Sequence, residues 1–184
     1  MIADIQELQW YVVYTMAKSE KKVASSIDQL GIESYLPLHS VVRQWSDRKK
    51  KMKVPLFPNY VFVKANPIIR PHLYSIRELV RFVSIEKRPV VIQEKEILTI
   101  RRILSEDDDV VAEDYLQRGM RVKINAGQFA GIEGIIVQKC GRNRLVIKID
   151  GLMKAFSFNL SARHTEVIPL VKPKPADNAV LIMN

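Results

Sequence analysis

The chain has 184 residues, 47% of them hydrophobic, and carries 29 Lys and Arg against 20 Asp and Glu, a net charge of +9. That length accommodates one domain or two small ones around a sizeable core. No apolar run approaches the ~20 residues of a membrane span, and Cys140, the only cysteine, excludes an internal disulfide.

MIADIQELQW shows no basic segment followed by an apolar stretch, so no secretory signal is read and a cytoplasmic protein is expected. QWYVVYT (9–15) has strand composition. KSEKKVASSIDQLG (18–31) sets Val23, Ile27 and Leu30 on one helical face and stops at Gly31. ESYLPLHSVVRQ (33–44) reads as one extended strand bent at Pro37, WSDRKKKMKVP (45–55) as a polar tip, and NYVFVK (59–64) as the returning strand. PIIRPHLYSI (67–76) suggests a short helix after Pro71, and RFVSI and PVVI are short strands about the turn EKRP. QEKEILTIRRIL (93–104) repeats Ile97, Ile100, Ile103 and Leu104 at helical spacing. Helices alternating with strands predict a sheet with helices packed on it.

Charge then divides the chain. Residues 1–104 carry 18 bases and 10 acids, residues 105–116 six acids and no base, and residues 117–184 11 bases and four acids. Two basic blocks around an acidic stretch predict two domains, 1–104 and 117–170, joined by a linker at 105–116. The second block has short alternating strands punctuated by six glycines, the pattern of a small closed β-barrel. A proline-containing tail, 171–184, follows. The fold class is therefore α+β.

Catalytic signatures are absent. His39, His72 and His164 are scattered, none lies near Cys140, and no zinc spacing or glycine-rich phosphate loop occurs. EDDD (106–109) reads as solvated linker, the alternative being a Mg²⁺ site. No enzyme, metal or cofactor is expected.

Two other features carry a signal. Arg43, Arg48, Lys49, Lys50, Lys51 and Lys53 form a basic cluster interrupted by one acid, Asp47. It is a solubilising tip or a phosphate-contacting finger, with Trp45 able to stack on an exposed base. PLFPNYVFV (55–63) is apolar on both faces: Tyr60 and Phe62 share one, Val61 and Val63 the other. A half-buried strand keeps one face polar, so the second face needs a partner or belongs to a core.

RVKINAGQFAGIEGII places Gly127, Gly131 and Gly134 among apolar anchors, with Phe129 plugging the turn, and resembles the KOW motif of elongation factors and some ribosomal proteins. WYVVYT (10–15), EKKV (20–23), PLFPNYVFV and RFVSI (81–85) resemble, in order, the N-terminal (NGN) domain of the NusG family. Asn59 stands where that family usually has Gly, and Asn also tolerates left-handed geometry. PLFPNY looks like the RfaH branch, and VRQWSDRKKKMKVPLFPNYVFV is similar to the UpxY group of paralogs at polysaccharide loci of Bacteroidetes.

The resemblance implies a monomeric transcription elongation and antitermination factor whose NGN domain caps the clamp helices of the RNA polymerase beta-prime subunit. The matching positions are Tyr14, Tyr60, Phe62 and Ile97, with the valines turned to the domain's own helices. It also implies contact with non-template DNA or leader RNA through His72 and Arg77 beside the basic tip, although PHLY departs from the polar loop of the RfaH branch. The KOW barrel would meet the ribosome or Rho. The strand-rich C-terminal composition predicts a barrel rather than the helical hairpin that branch can adopt. The alternative reading is an RNA-binding, ribosome-associated KOW protein.

Overall fold

The computed structural model describes residues 7–45, 48–107, 109–113, 119–139, 142–159 and 167–170. Cys140, His164 and the tail 171–184 lie outside the described residues.

β1 (Gln9–Thr15) leads to α1 (Glu20–Gln29), which ends where Gly31, at φ 73°, donates to the Asp28 carbonyl at 2.9 Å. The left-handed residue closes the last turn without a Cβ penalty. β2 (Ser34–Tyr35) and β3 (Leu38–Gln44) are separate strands in different sheets, not one bent strand, because Pro37 between them offers no N–H to a ladder. β3 pairs with β4 (Lys49–Pro55), so the expected polar tip is itself the returning strand of an isolated two-stranded hairpin. PLFP then breaks the chain, and Asn59, at φ 69°, starts β5 (Tyr60–Ala65). A one-turn α2 (Arg70–Leu73) precedes β6 (Leu79–Phe82). β7 (Ser84–Ile85) and β8 (Arg88–Pro89) form a minimal hairpin with Glu86 and Lys87 both at positive φ, the geometry a two-residue turn demands. β9 (Val91–Ile92) leads to α3 (Glu94–Glu106), which opens on a capping box between Gln93 and Glu96.

The first sheet runs β2-β5-β1-β6, with β9 also on β1. Its register sets Tyr14 opposite Tyr60, Val12 opposite Phe62 and Val13 opposite Val61. Alternation therefore sorts the apolar residues onto two faces. Tyr11, Val13, Val61 and Val63 pack with Val23 and Ile27 of α1 and with Leu73, as the valines were expected to do. Trp10, Val12 and Phe62 lie on the opposite face with Ile97, Ile100 and Ile103 of α3.

The C-terminal sheet comprises β10 (Val111–Glu113), β11 (Met120–Ile124), β12 (Glu133–Lys139), β13 (Arg142–Ile149), β14 (Lys154–Asn159) and β15 (Val167–Pro169), in the order β10-β14-β13-β12-β11-β15. Among the described residues of 119–159 no α-helix occurs, only a single 3-10 turn at Asp150–Leu152. The hydrogen-bonded path is open among the described residues, ending at β10 and β15, where a closed barrel was expected.

The acidic segment differs from the expected linker. α3 continues through Glu106, and 111–113 joins the sheet along the free edge of β14. Arg144 holds this arrangement. The residue is 7% exposed, and its guanidinium donates to Asp109 Oδ2 at 3.1 Å, to Ser157 O at 3.0 Å and to Asn159 Oδ1 at 3.0 Å. A buried cation requires such partners, and the acids of the segment provide one.

Candidate functional site

The C-terminal sheet sits on the second face of the first sheet, and one apolar cluster runs through both. Phe57 and Phe156 meet edge to face at 6.2 Å. A Cβ built on Gly151 would stand 2.8 Å from Val90 Cγ1 and 2.9 Å from Ile92 Cδ1, so any larger residue must displace those side chains. Arg102 donates to the carbonyls of Ala130, at 3.2 Å, and of Gln128. His39 Nδ1 lies 2.8 Å from the carbonyl oxygen of Val110.

Tyr14, Tyr60, Phe62 and Ile97 all belong to this face, but unequally. Tyr14 and Tyr60 form an edge-to-face pair at 5.5 Å on its rim and are half-buried. Asn59 Nδ2 donates to the Tyr14 hydroxyl at 3.1 Å, and its backbone N–H to Glu20 Oε1 at 2.8 Å. Asn59 thus takes the left-handed turn and adds an anchor for the tyrosine. Lys154 reaches over the Tyr60 ring at 5.7 Å. Phe62 and Ile97 are fully buried under the covering sheet and α3. The aromatic face is a rim of two accessible tyrosines around a covered centre, not an open patch.

An electrostatic cluster flanks that centre. Trp10 Nε1 donates to Glu94 Oε2 at 2.8 Å, and Lys64 pairs with the same carboxylate at 3.1 Å. The Lys64 hydrogen bond, then that of Trp10, holds the Glu94 carboxyl below its ordinary range. Arg101 stacks on Tyr35 at 4.8 Å and on Trp10 at 5.6 Å. Burial pushes the Tyr35 phenol up to about 12 from its usual 10.0, with Arg101 pulling the other way. Because the folded phenol holds its proton longer than the unfolded one, this contribution is complete below about pH 10 and is lost as pH rises towards about 12. Tyr35→Phe is expected to flatten that alkaline limb in denaturant titrations between about pH 9 and 12. An unchanged limb would assign the loss to other groups.

The basic residues are placed differently. Arg43, Trp45, Arg48, Lys49, Lys50, Lys51 and Lys53 all stand exposed on the β3–β4 hairpin, with Lys50 Nζ 5.4 Å from the Trp45 ring centroid. His72, on α2, and Arg77, before β6, are also exposed. In chain order they precede β6, at one end of the first sheet, whereas the hairpin follows β2, at the other end.

In the C-terminal sheet, Gly127 and Gly131 take φ of 86° and 88°, and Phe129 between them is buried against Phe158 at 4.7 Å. Gly134 has a different role from Gly127 and Gly131. It lies in β12, where a Cβ would meet the Val146 carbonyl oxygen at 2.5 Å, so close packing and not handedness requires glycine there. Gly151, Phe57, Phe156 and Lys154 were not singled out by sequence. Gly151 is one of the six glycines that punctuate the second block, a signal of a turn rather than of a contact.

Among the described residues no three His, Cys, Asp or Glu side chains are grouped to hold a metal ion, and no helix is long and apolar enough to cross a membrane. The family model for transcription termination factor NusG matches residues 8–101. The chain is 27% identical over 158 residues to the transcription termination/antitermination protein NusG of Chlamydia pneumoniae, covering 78% of this chain and 86% of that one. It is 25% identical over 148 residues to the Escherichia coli K12 protein of the same name, covering 73% and 82%. A solved structure titled for domain interaction in Thermotoga maritima NusG superposes with a TM-score of 0.52, at 24% identity, over 91% of this chain and 99% of that one.

Proposed function

The chain belongs to the NusG family of transcription termination and antitermination proteins, and from that premise we propose that it is a specialised, non-catalytic elongation factor acting in the cytoplasm. In this reading the Tyr14–Tyr60 rim and the centre at Phe62 and Ile97 bind the beta-prime clamp helices of RNA polymerase. The basic hairpin meets non-template DNA or leader RNA, and the C-terminal sheet serves as a KOW module for ribosome or Rho. The observation that carries it is the aromatic pair held at 5.5 Å by Asn59 on a sheet face apolar beyond its own domain's needs. Large aromatics on a rigid strand are the side chains that dominate protein interfaces. A factor of this kind performs no chemistry. It shifts polymerase between paused and elongating states through its differential affinity for them.

Because the centre of the face is covered, polymerase binding requires the C-terminal sheet to move off it. Support for a specialised role comes from PLFPNY and the hairpin, which look like the RfaH and UpxY branches and point to a few long operons, polysaccharide loci among them. Deleting the gene is expected to lower promoter-distal transcripts of one long operon while promoter-proximal transcripts persist, as read by strand-specific RNA sequencing. A uniform transcriptome-wide change would mean a general factor, and equal loss at both ends an initiation activator. Co-purification with ribosomes in place of core polymerase would favour a ribosome-associated role.

A further inference from the structure

The basic hairpin has two sides with different occupants. β3 and β4 pair only with each other, and their register sets Arg43 opposite Lys50, Val41 opposite Met52 and His39 opposite Val54. Directly opposed residues share a face, so these six make one side. It is engaged: Val41, Met52 and Val54 are half-buried, His39 contacts the Val110 carbonyl, and Lys50 lies over Trp45.

The other side presents Lys49, Lys51 and Lys53, all exposed, across from Gln44, Val42 and Ser40. Every second residue of a strand returns to the same side, so their Cα atoms stand about 6.8 Å apart in a row. At the foot of the row Lys21, from α1, donates to the Lys53 carbonyl at 3.2 Å, bringing a fourth ammonium group to it. Between 38 and 55 the sequence has one acid, Asp47.

We propose that Lys21, Lys53, Lys51 and Lys49 form a track for successive phosphates of one single strand of nucleic acid. The track rests on the hairpin being a nucleic-acid contact and assigns that contact to one side, with Lys50 and Trp45 outside it. The spacing of the row suits consecutive phosphates of an extended single strand. Val42, 65% exposed among the lysines, offers apolar surface that an unpaired base can cover.

The test is salt-dependent binding of the full chain to a labelled single-stranded DNA, a single-stranded RNA and a duplex DNA. K49Q/K51Q is compared with R43Q/K50Q, which removes the same two charges from the opposite side, and with K21Q. Four contacts predict a slope of log K against log salt near −2.8 on single strands, flattened by about 1.4 in K49Q/K51Q, about 0.7 in K21Q and less than about 0.5 in R43Q/K50Q. The two single-stranded arms tell displaced DNA from transcript, and binding to either supports the track. Equal flattening by both doubles would overturn the track while leaving the hairpin a nucleic-acid contact, and so would tighter binding to the duplex. No binding by the wild type would overturn the hairpin reading as well. Retention on core polymerase, measured in the same preparations, reads the aromatic face separately.

Discussion

Tyr60→Ala is expected to weaken association with core RNA polymerase at least tenfold while leaving the thermal midpoint nearly unchanged. Tyr60 is half-buried, packed on the edge of the apolar cluster beside the Tyr14 ring and the Lys154 ammonium, so truncation opens no sealed cavity. Truncating a large aromatic that anchors an interface costs about 2–4 kcal/mol of binding, more than the ~1.4 kcal/mol of one decade. Phe62→Ala should behave differently. Its side chain is fully buried against Phe57 and Tyr35, and removing it from such packing costs about 3–5 kcal/mol of stability. Surface plasmon resonance and thermal melts of the two variants separate these effects. Loss of folding in Tyr60→Ala would make the rim part of the core, and unchanged polymerase binding would remove the aromatic face from the interface.

Gly151→Val is expected to raise the affinity for polymerase about fivefold or more, an unusual direction for an added side chain. Position 151 presses on Val90 and Ile92, and a Cβ there would stand closer than real Cβ atoms approach, so the valine wedges the two sheets apart. A ligand that binds only the open form has its apparent affinity reduced by the open fraction, and destabilising the closed form returns that factor. The substitution touches none of the residues assigned to the polymerase. Interdomain energy transfer between labels on α1 and the C-terminal sheet should fall in parallel. If neither distance nor affinity changes, the sheet contact does not govern access to the face.

Much of the local structure was legible in the chain. The α1 and α3 periodicities, the β1 and β5 composition and the stop at Gly31 all express local steric and hydrophobic rules that need no distant partner. Even the two-faced character of β5 could be read, because alternation assigns Tyr60 and Phe62 to one side and Val61 and Val63 to the other wherever the strand lies. The aromatic pair and the basic finger were thus visible as candidates before any fold was known.

The sequence by itself determined which residues must leave water; the tertiary structure decided what they meet. β4 was missed because KKKMK carries no apolar alternation, and its strand state follows from backbone pairing with β3 in the register that also lines up its lysines. The acidic stretch read as a free tether because its charges favour solvent, yet buried Arg144 draws Asp109 into partnership and the edge of β14 takes up 111–113. The cover over Phe62 was equally hidden. Apolar burial is non-directional, so composition could not tell whether Phe156 belongs to the core of its own sheet or to a neighbour's face. Gly151, against Val90 and Ile92, is where the assembled chain settles that choice.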